Sequence, residues 1–217
     1  MAPTQRDVVR TLLDDHGHTY AEEAGITLKD TPQPLYRLLV LASLLSAPIR
    51  TGVAVAAARE LDRAGLRDPR RMAGATWQER VDALGRGGYR RYDERTAAQL
   101  GQGAELTAER YGGDLRRLRE RAAGDLTEMR RELREFPGVG PAGADIFLRE
   151  AQSVWPEAAP YLDSKALDGA RRLDLPDAPA ALTRLADGAE PAILAAALVR
   201  VTLDKGAAGK VLEHAGR

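Results

Sequence analysis

FPGVGPAGADIFL, residues 136–148, is the stretch whose reading decides the fold. A Pro-Gly-x-Gly-Pro turn lies between two segments of helical character. Before it, Leu126, Met129, Leu133 and Phe136 recur at helical spacing. Pro137 stops that helix, and Gly138 can take a positive φ without steric cost. Gly140 lets the backbone pass close to another group, and Pro141 suits the first position of a new helix. The amides at that helix start have no internal partners, so they offer a site for an anion, phosphate above all. Such a helix–turn–helix can grip a nucleic-acid backbone without reading its bases. An ordinary interhelical turn would use the same residues. A Walker loop and a dinucleotide fingerprint are excluded, because no Gly-Lys-Ser/Thr follows and no strand precedes.

Outward from the turn, helical patterns continue in both directions. Residues 4–15 read as a short amphipathic helix, followed by a polar loop. LYRLLVLASLLSA (35–47) is apolar on every side and ends at Pro48, as a central bundle helix would. Thr51 opens the next helix, and Gly65 closes it. Thr76 and Glu79 form a capping box, and that helix runs out in GRGG at 85–88. Further helices are predicted at about 92–110 and 114–122, and from Asp125, where Asp125 and Glu128 make an acidic start. Others follow the turn, begin near Asp163, and span 191–204. With Ala, Leu, Arg and Glu abundant and β-branched and aromatic residues scarce, the fold class is all-α, roughly ten helices.

The 217 residues suffice for one large domain or two small lobes. There is no cysteine, which removes disulfides, thiolate nucleophiles and cysteine-ligated zinc or iron–sulfur sites. The histidines are His16, His18 and His214, too few for a dedicated transition-metal site, so no metal ligands are assigned. Thirty-two basic residues balance 32 acidic ones, which argues against a tight, sequence-blind polyanion binder but permits a local basic face. No 18-residue apolar run and no signal-peptide pattern is present, so a soluble cytoplasmic protein without a membrane partner is expected. GRGGYRRYDERTA groups Arg86, Arg90, Arg91 and Arg95 around Tyr89 and Tyr92, and could meet a DNA strand. A solvated helix cap reads equally well there. RRLRERA (116–122) reads as a solvated helical face, and Trp77 and Trp155 as packing residues.

The string of an apolar helix, FPGVGPAGADIFL and a second helix resembles the helix-hairpin-helix element of the endonuclease III-like DNA glycosylases. LLVLASLLSAPIRTGVA, VDALGRGGYRRYDERTAAQL and VWPEAAPYLDSKAL resemble the family's buried helix, glycine-containing junction and post-hairpin segment, in the same order. The likeness spans about residues 35–175. It implies a two-lobed helical fold, with residues 31–154 forming a six-helix lobe and residues 1–30 and 155–217 forming the second. It implies base-excision repair. Damaged duplex DNA would be held by backbone amides around Gly138, Val139, Gly140 and Ala142, with Arg86, Arg90, Arg91 and Tyr89 beside them. The target nucleotide would be flipped out and its N-glycosidic bond hydrolysed by a monomer associated with the nucleoid.

By the same resemblance Asp163 is catalytic, stabilising the positive charge that develops on the sugar and orienting water. Read from the residues alone, Asp163 is a helix N-cap, and the two roles can coexist. Family members that also cleave the backbone carry a lysine where this chain has Ala142. The resemblance therefore implies a single-function glycosylase, with Lys165 as the alternative amine of a bifunctional enzyme. It leaves open a monovalent cation on the hairpin carbonyls, and no iron–sulfur cluster is expected. Pro48 replaces the family's polar gap-filling residue. The rival from another class is a catalytically silent DNA-binding or interaction module.

Overall fold

The structure is a computed structural model and describes residues 3–216. Among the described residues every regular element is helical: fourteen α-helices and one 3-10 turn, Pro156–Ala158. The chain forms two compact units. One comprises the residues up to Tyr20 together with those from Ala158 onward, and the other is Ala21–Glu157.

In the first unit α1 (Gln5–His16) starts on a capping box between Thr4 and Asp7. The short α2 (Tyr20–Glu23) straddles the boundary into the second unit. There α3 (Pro32–Ser46) buries Leu35, Tyr36, Leu38, Leu39, Leu41 and Leu44, among others, as its all-round hydrophobicity predicts. It ends because Pro48 forces Ala47 out of helical geometry, to φ −72° and ψ 152°. α4 (Thr51–Arg63) packs on it, α6 (Trp77–Arg86) packs on α4, and α7 (Asp93–Tyr111) packs on α6 and on α5 (Pro69–Gly74). The Thr76 capping box is present: Thr76 N donates to Glu79 Oε2 at 2.7 Å, and Glu79 N donates to Thr76 Oγ1 at 3.2 Å. One core of this unit joins Tyr36, Leu44, Leu61, Met72, Leu84, Tyr89 and Leu100. Arg80 reaches into it and donates to the carbonyls of Ala97, Met72 and Ala75 at 2.8, 2.9 and 2.8 Å, closing the C-terminal end of α5. α8 (Arg116–Arg121), α9 (Leu126–Arg134) and α10 (Pro141–Ala151) complete the unit.

α8 is not the solvated face expected from RRLRERA. Leu118 is buried, and Arg119 grips Glu157 with two nitrogens, donates to Asp30 Oδ2 at 2.9 Å and stacks on Trp155. Trp155 Nε1 donates to Asp30 Oδ1 at 3.0 Å, and Glu150 Oε2 accepts from Ala21 N at 2.9 Å. These bonds tie residues 21–31 to the second unit. Trp155 is fully buried, but Trp77 is 42% exposed, its indole nitrogen donating to Glu94 O, which corrects its assignment to packing.

Burial alone would raise the Glu157 carboxyl, but the hydrogen bond and charge of Arg119 outweigh it and hold Glu157 below its ordinary value of 4.5. A carboxylate depressed on folding stabilises the native state above its unfolded pKa, and that stability is lost as pH falls through the folded value. Glu157→Gln is therefore expected to cost about 1.5–3 kcal/mol at neutral pH, the scale of a hydrogen bond to a charged group. The gap between the two proteins should close in acid. Denaturant melts at pH 7 and pH 3 check this, and an equal gap at both pH values would contradict it.

The first unit is completed by α11 (Ser164–Arg172), α12 (Pro179–Leu185), α13 (Pro191–Leu203) and α14 (Ala207–Ala215). α13 is its core, burying Leu194, Leu198, Val199 and Val201, and it packs chiefly against α11. The two helices cross at Gly169, where a Cβ would lie 2.0 Å from Leu198 O. α1 lies on α13 and α14, with His214 Nδ1 3.0 Å from Asp15 Oδ2. No helix among the described residues is long and apolar enough to cross a membrane.

Candidate functional site

The quoted stretch forms a helical hairpin. α9 stops ahead of Pro137, Gly138 turns the chain at φ +83°, and α10 starts with Gly140 as N-cap and Pro141 in its first turn. The positive φ is what requires glycine at position 138. An ion pair between Arg130 Nε and Asp145 Oδ1 at 2.9 Å holds the two helices together. Gly143 fits closely against Val139 and Ser46, so the hairpin sits on the end of α3.

No hydrogen-bond partner is found among the described residues for the amides of Gly138, Gly140 and Ala142. Val139 differs: its amide donates to Phe136 O at 2.9 Å and its side chain is buried, so it is not available to a ligand. Gly140, Pro141 and Ala142 are exposed. A Cβ on Gly140 would meet nothing within 4 Å, so packing does not require glycine there and the space before it is open. Phe136 O accepts from Val139 N, and Gly138 O accepts from Ser46 Oγ at 3.4 Å. Among the described residues no group of three His, Cys, Asp or Glu is placed to hold a metal ion.

Beside the hairpin is a cavity of about 430 Å³, within the second unit. The C-terminal end of α3 contributes Ser43 and Ser46, the start of α7 contributes Tyr92, Arg95 and Gln99, and the hairpin contributes Gly138, Gly140 and Ala142. No Asp or Glu lines it. Among the described residues Arg50, Arg90, Arg91 and Arg95, on this wall or near it in sequence, make no ion pair with an acidic group, and Arg91 stacks on Tyr92 at 5.3 Å. A balanced total charge therefore coexists with an uncompensated basic rim.

Not every residue expected in that rim belongs to it. Arg86 is paired with Glu60 at 3.4 Å. Tyr89 is 2% exposed, joins the core and bonds the Thr96 hydroxyl at 3.1 Å, and burial pushes its phenol above the usual value. It walls the cavity with its ring held in the core, whereas Tyr92 on the same wall is only half-buried. Ser43 and Gln99 were not singled out by the sequence. The signal for them was two serines among the apolar residues 38–46 of α3, and an Arg95–Gln99 spacing of four that puts both on one face of α7.

In the first unit Asp163 is half-buried and caps α11, its Oδ1 accepting from Ala166 N at 3.1 Å. Lys165 is exposed two residues later, its carbonyl accepting from the Thr202 hydroxyl at 2.8 Å. Asp168 is an exposed partner of Arg171 at 2.6 Å.

No family model matches the sequence, and no curated protein matches it. Among solved structures, the chain is similar to a trapped covalent endonuclease III–DNA intermediate in an estranged-adenine complex. The identity is 16%, the match covers 89% of this chain and 84% of that one, and the TM-score is 0.48.

Proposed function

We propose that this protein is a helix-hairpin-helix DNA glycosylase of the single-function kind, acting on duplex DNA that carries a damaged or mispaired base. The observation that carries this reading is the hairpin tip: three unpartnered amides, open space before Gly140, and an adjoining cavity with no carboxylate and a rim of unpaired arginines. A phosphodiester supplies what that tip lacks, acceptors and negative charge.

In this reading the amides of Gly138, Gly140 and Ala142 hold the backbone in register. Asp163 supplies the carboxylate that stabilises the oxocarbenium-like sugar as the base leaves, and water completes the hydrolysis. The methyl group of Ala142 cannot attack the sugar, so the reaction ends at the abasic product.

Single-turnover incubation with duplexes carrying an oxidised pyrimidine, uracil, an alkylated purine or mispaired adenine tests the proposal. Release of at least one base is expected, with strand breakage only after alkali. Silence on all four would leave a DNA-binding module instead. Breakage without alkali that disappears in Lys165→Ala would make the enzyme bifunctional.

The phosphate grip has its own test. Gly140 has φ −81° and free space around it, so Gly140→Leu should cost no more than a weakened N-cap, about 1 kcal/mol or less, and leave the protein folded. Its side chain would stand where the phosphate approaches, and duplex affinity should fall about tenfold or more, some 1.4 kcal/mol. Undiminished binding in a fluorescence titration would remove the hairpin from the interface.

A further inference from the structure

The cavity beside the hairpin contains chemistry that a phosphate grip does not use. Its volume of about 430 Å³ is in the range of small-ligand sites and ample for one nucleotide. Gln99 Oε1 lies 2.8 Å, and Ser43 Oγ 3.3 Å, from the point a Gly138 Cβ would occupy, so an amide and a hydroxyl converge above the hairpin turn. Neither side chain makes a hydrogen bond among the described residues, although both are half-buried. An amide presents a donor and an acceptor side by side, which matches the paired donor and acceptor on a nucleobase edge.

Charge narrows the class of base. Among the described residues Arg95 is the one charged residue on the wall, and no carboxylate lines it. A cationic ligand would meet Coulomb repulsion there with nothing to offset it. The ring of Tyr92 already carries the guanidinium of Arg91, so it does not offer that face to a second cation.

We infer that this cavity is a reading pocket for an uncharged nucleobase, that Gln99 is the residue that determines its specificity, and that cationic N-alkylated purines are rejected. The inference rests on the proposed function for its setting in DNA, but its test requires no catalysis. The isotope-labelled protein is titrated with guanosine 5′-monophosphate and, separately, with N7-methylguanosine 5′-monophosphate, at a pH where the methylated base is cationic. The two ligands share phosphate and sugar but differ at N7 in a methyl group and a lost acceptor as well as in charge. The methylated nucleotide is therefore titrated again at a pH where its N1 has lost the proton and the base is net neutral; recovery of binding there reports base charge.

The neutral nucleotide should shift the Gln99 side-chain amide resonances saturably, and the methylated one should bind at least about tenfold more weakly. Gln99→Ala should weaken the neutral nucleotide about tenfold, at the lower end of what a bidentate base contact contributes. Gln99→Glu should turn the preference toward the cation. Equal binding of both nucleotides, no shift at Gln99, no binding of either, or an unchanged preference in both variants would each overturn the inference. If nucleotides bind as expected but no duplex releases a base, the glycosylase proposal fails and the pocket stands. Base release combined with a flat nucleotide response has the opposite meaning.

Discussion

Asp163→Asn is expected to lower single-turnover base release by about 10²–10⁴-fold, the usual contribution of a positioned acid–base group, while leaving the fold and DNA affinity intact. Asparagine is chosen because Asp163 has a second duty. Its Oδ1 accepts from Ala166 N at 3.1 Å and caps α11. Asparagine caps a helix about as well as aspartate, whereas alanine would cost roughly 0.5–2 kcal/mol and confuse lost chemistry with lost structure. The amide cannot supply the negative charge that a developing oxocarbenium ion requires. Melting within about 0.5 kcal/mol of the parent, with release abolished, assigns the carboxylate to the reaction. Release within a few-fold of the parent would reduce Asp163 to a cap.

Gly169→Ala should have the largest effect on stability. The added methyl would lie 2.0 Å from Leu198 O and 2.7 Å from Leu198 C, both backbone atoms of α13. A flexible side chain could swing away, but a buried helix backbone cannot, so α11 and α13 must separate along their main contact. Overpacking costs 1–3 kcal/mol when neighbours can adjust, and here the loss should reach about 3 kcal/mol or more. For a unit of this size that is a fall of roughly 12–24 °C in Tm. Gly209→Ala in α14 is the matched control: nothing lies within 4 Å of its added methyl, and higher helix propensity should make it neutral or stabilising. Calorimetry of both variants decides the matter. A Gly169→Ala protein as stable as the control would show that the crossing has slack.

The hairpin was legible from residues 136–148 because Pro137, Gly138 and Pro141 act on their own backbone, which needs no distant partner. The capping boxes at Thr4 and Thr76 are equally local, although only the Thr76–Glu79 pair has the Thr-x-x-Glu pattern that sequence alone marks. The short helices α2, α5, α12 and α14 are absent from the sequence-based expectation, whereas α8, α9 and α11, no longer than α14, are expected because an arginine-rich run, an apolar period and an aspartate cap mark them. The cavity was half legible: Tyr92 and Arg95 stood in a marked cluster, but Ser43 and Gln99 come from helices that only packing brings together.

By itself, then, the sequence determined helix content, the hairpin backbone, the exposed amides at its tip and the lack of a lysine at Ala142. All of these follow from bonded neighbours and from the residues present. The tertiary structure decided which charges remain available. Arg86 is neutralised by Glu60 and Arg119 by Glu157 and Asp30, while Arg90, Arg91 and Arg95 have no acidic partner among the described residues. It also buried Tyr89 and left Trp77 half in solvent. Burial and charge pairing depend on residues tens of positions away, and a linear pattern does not specify who those neighbours are.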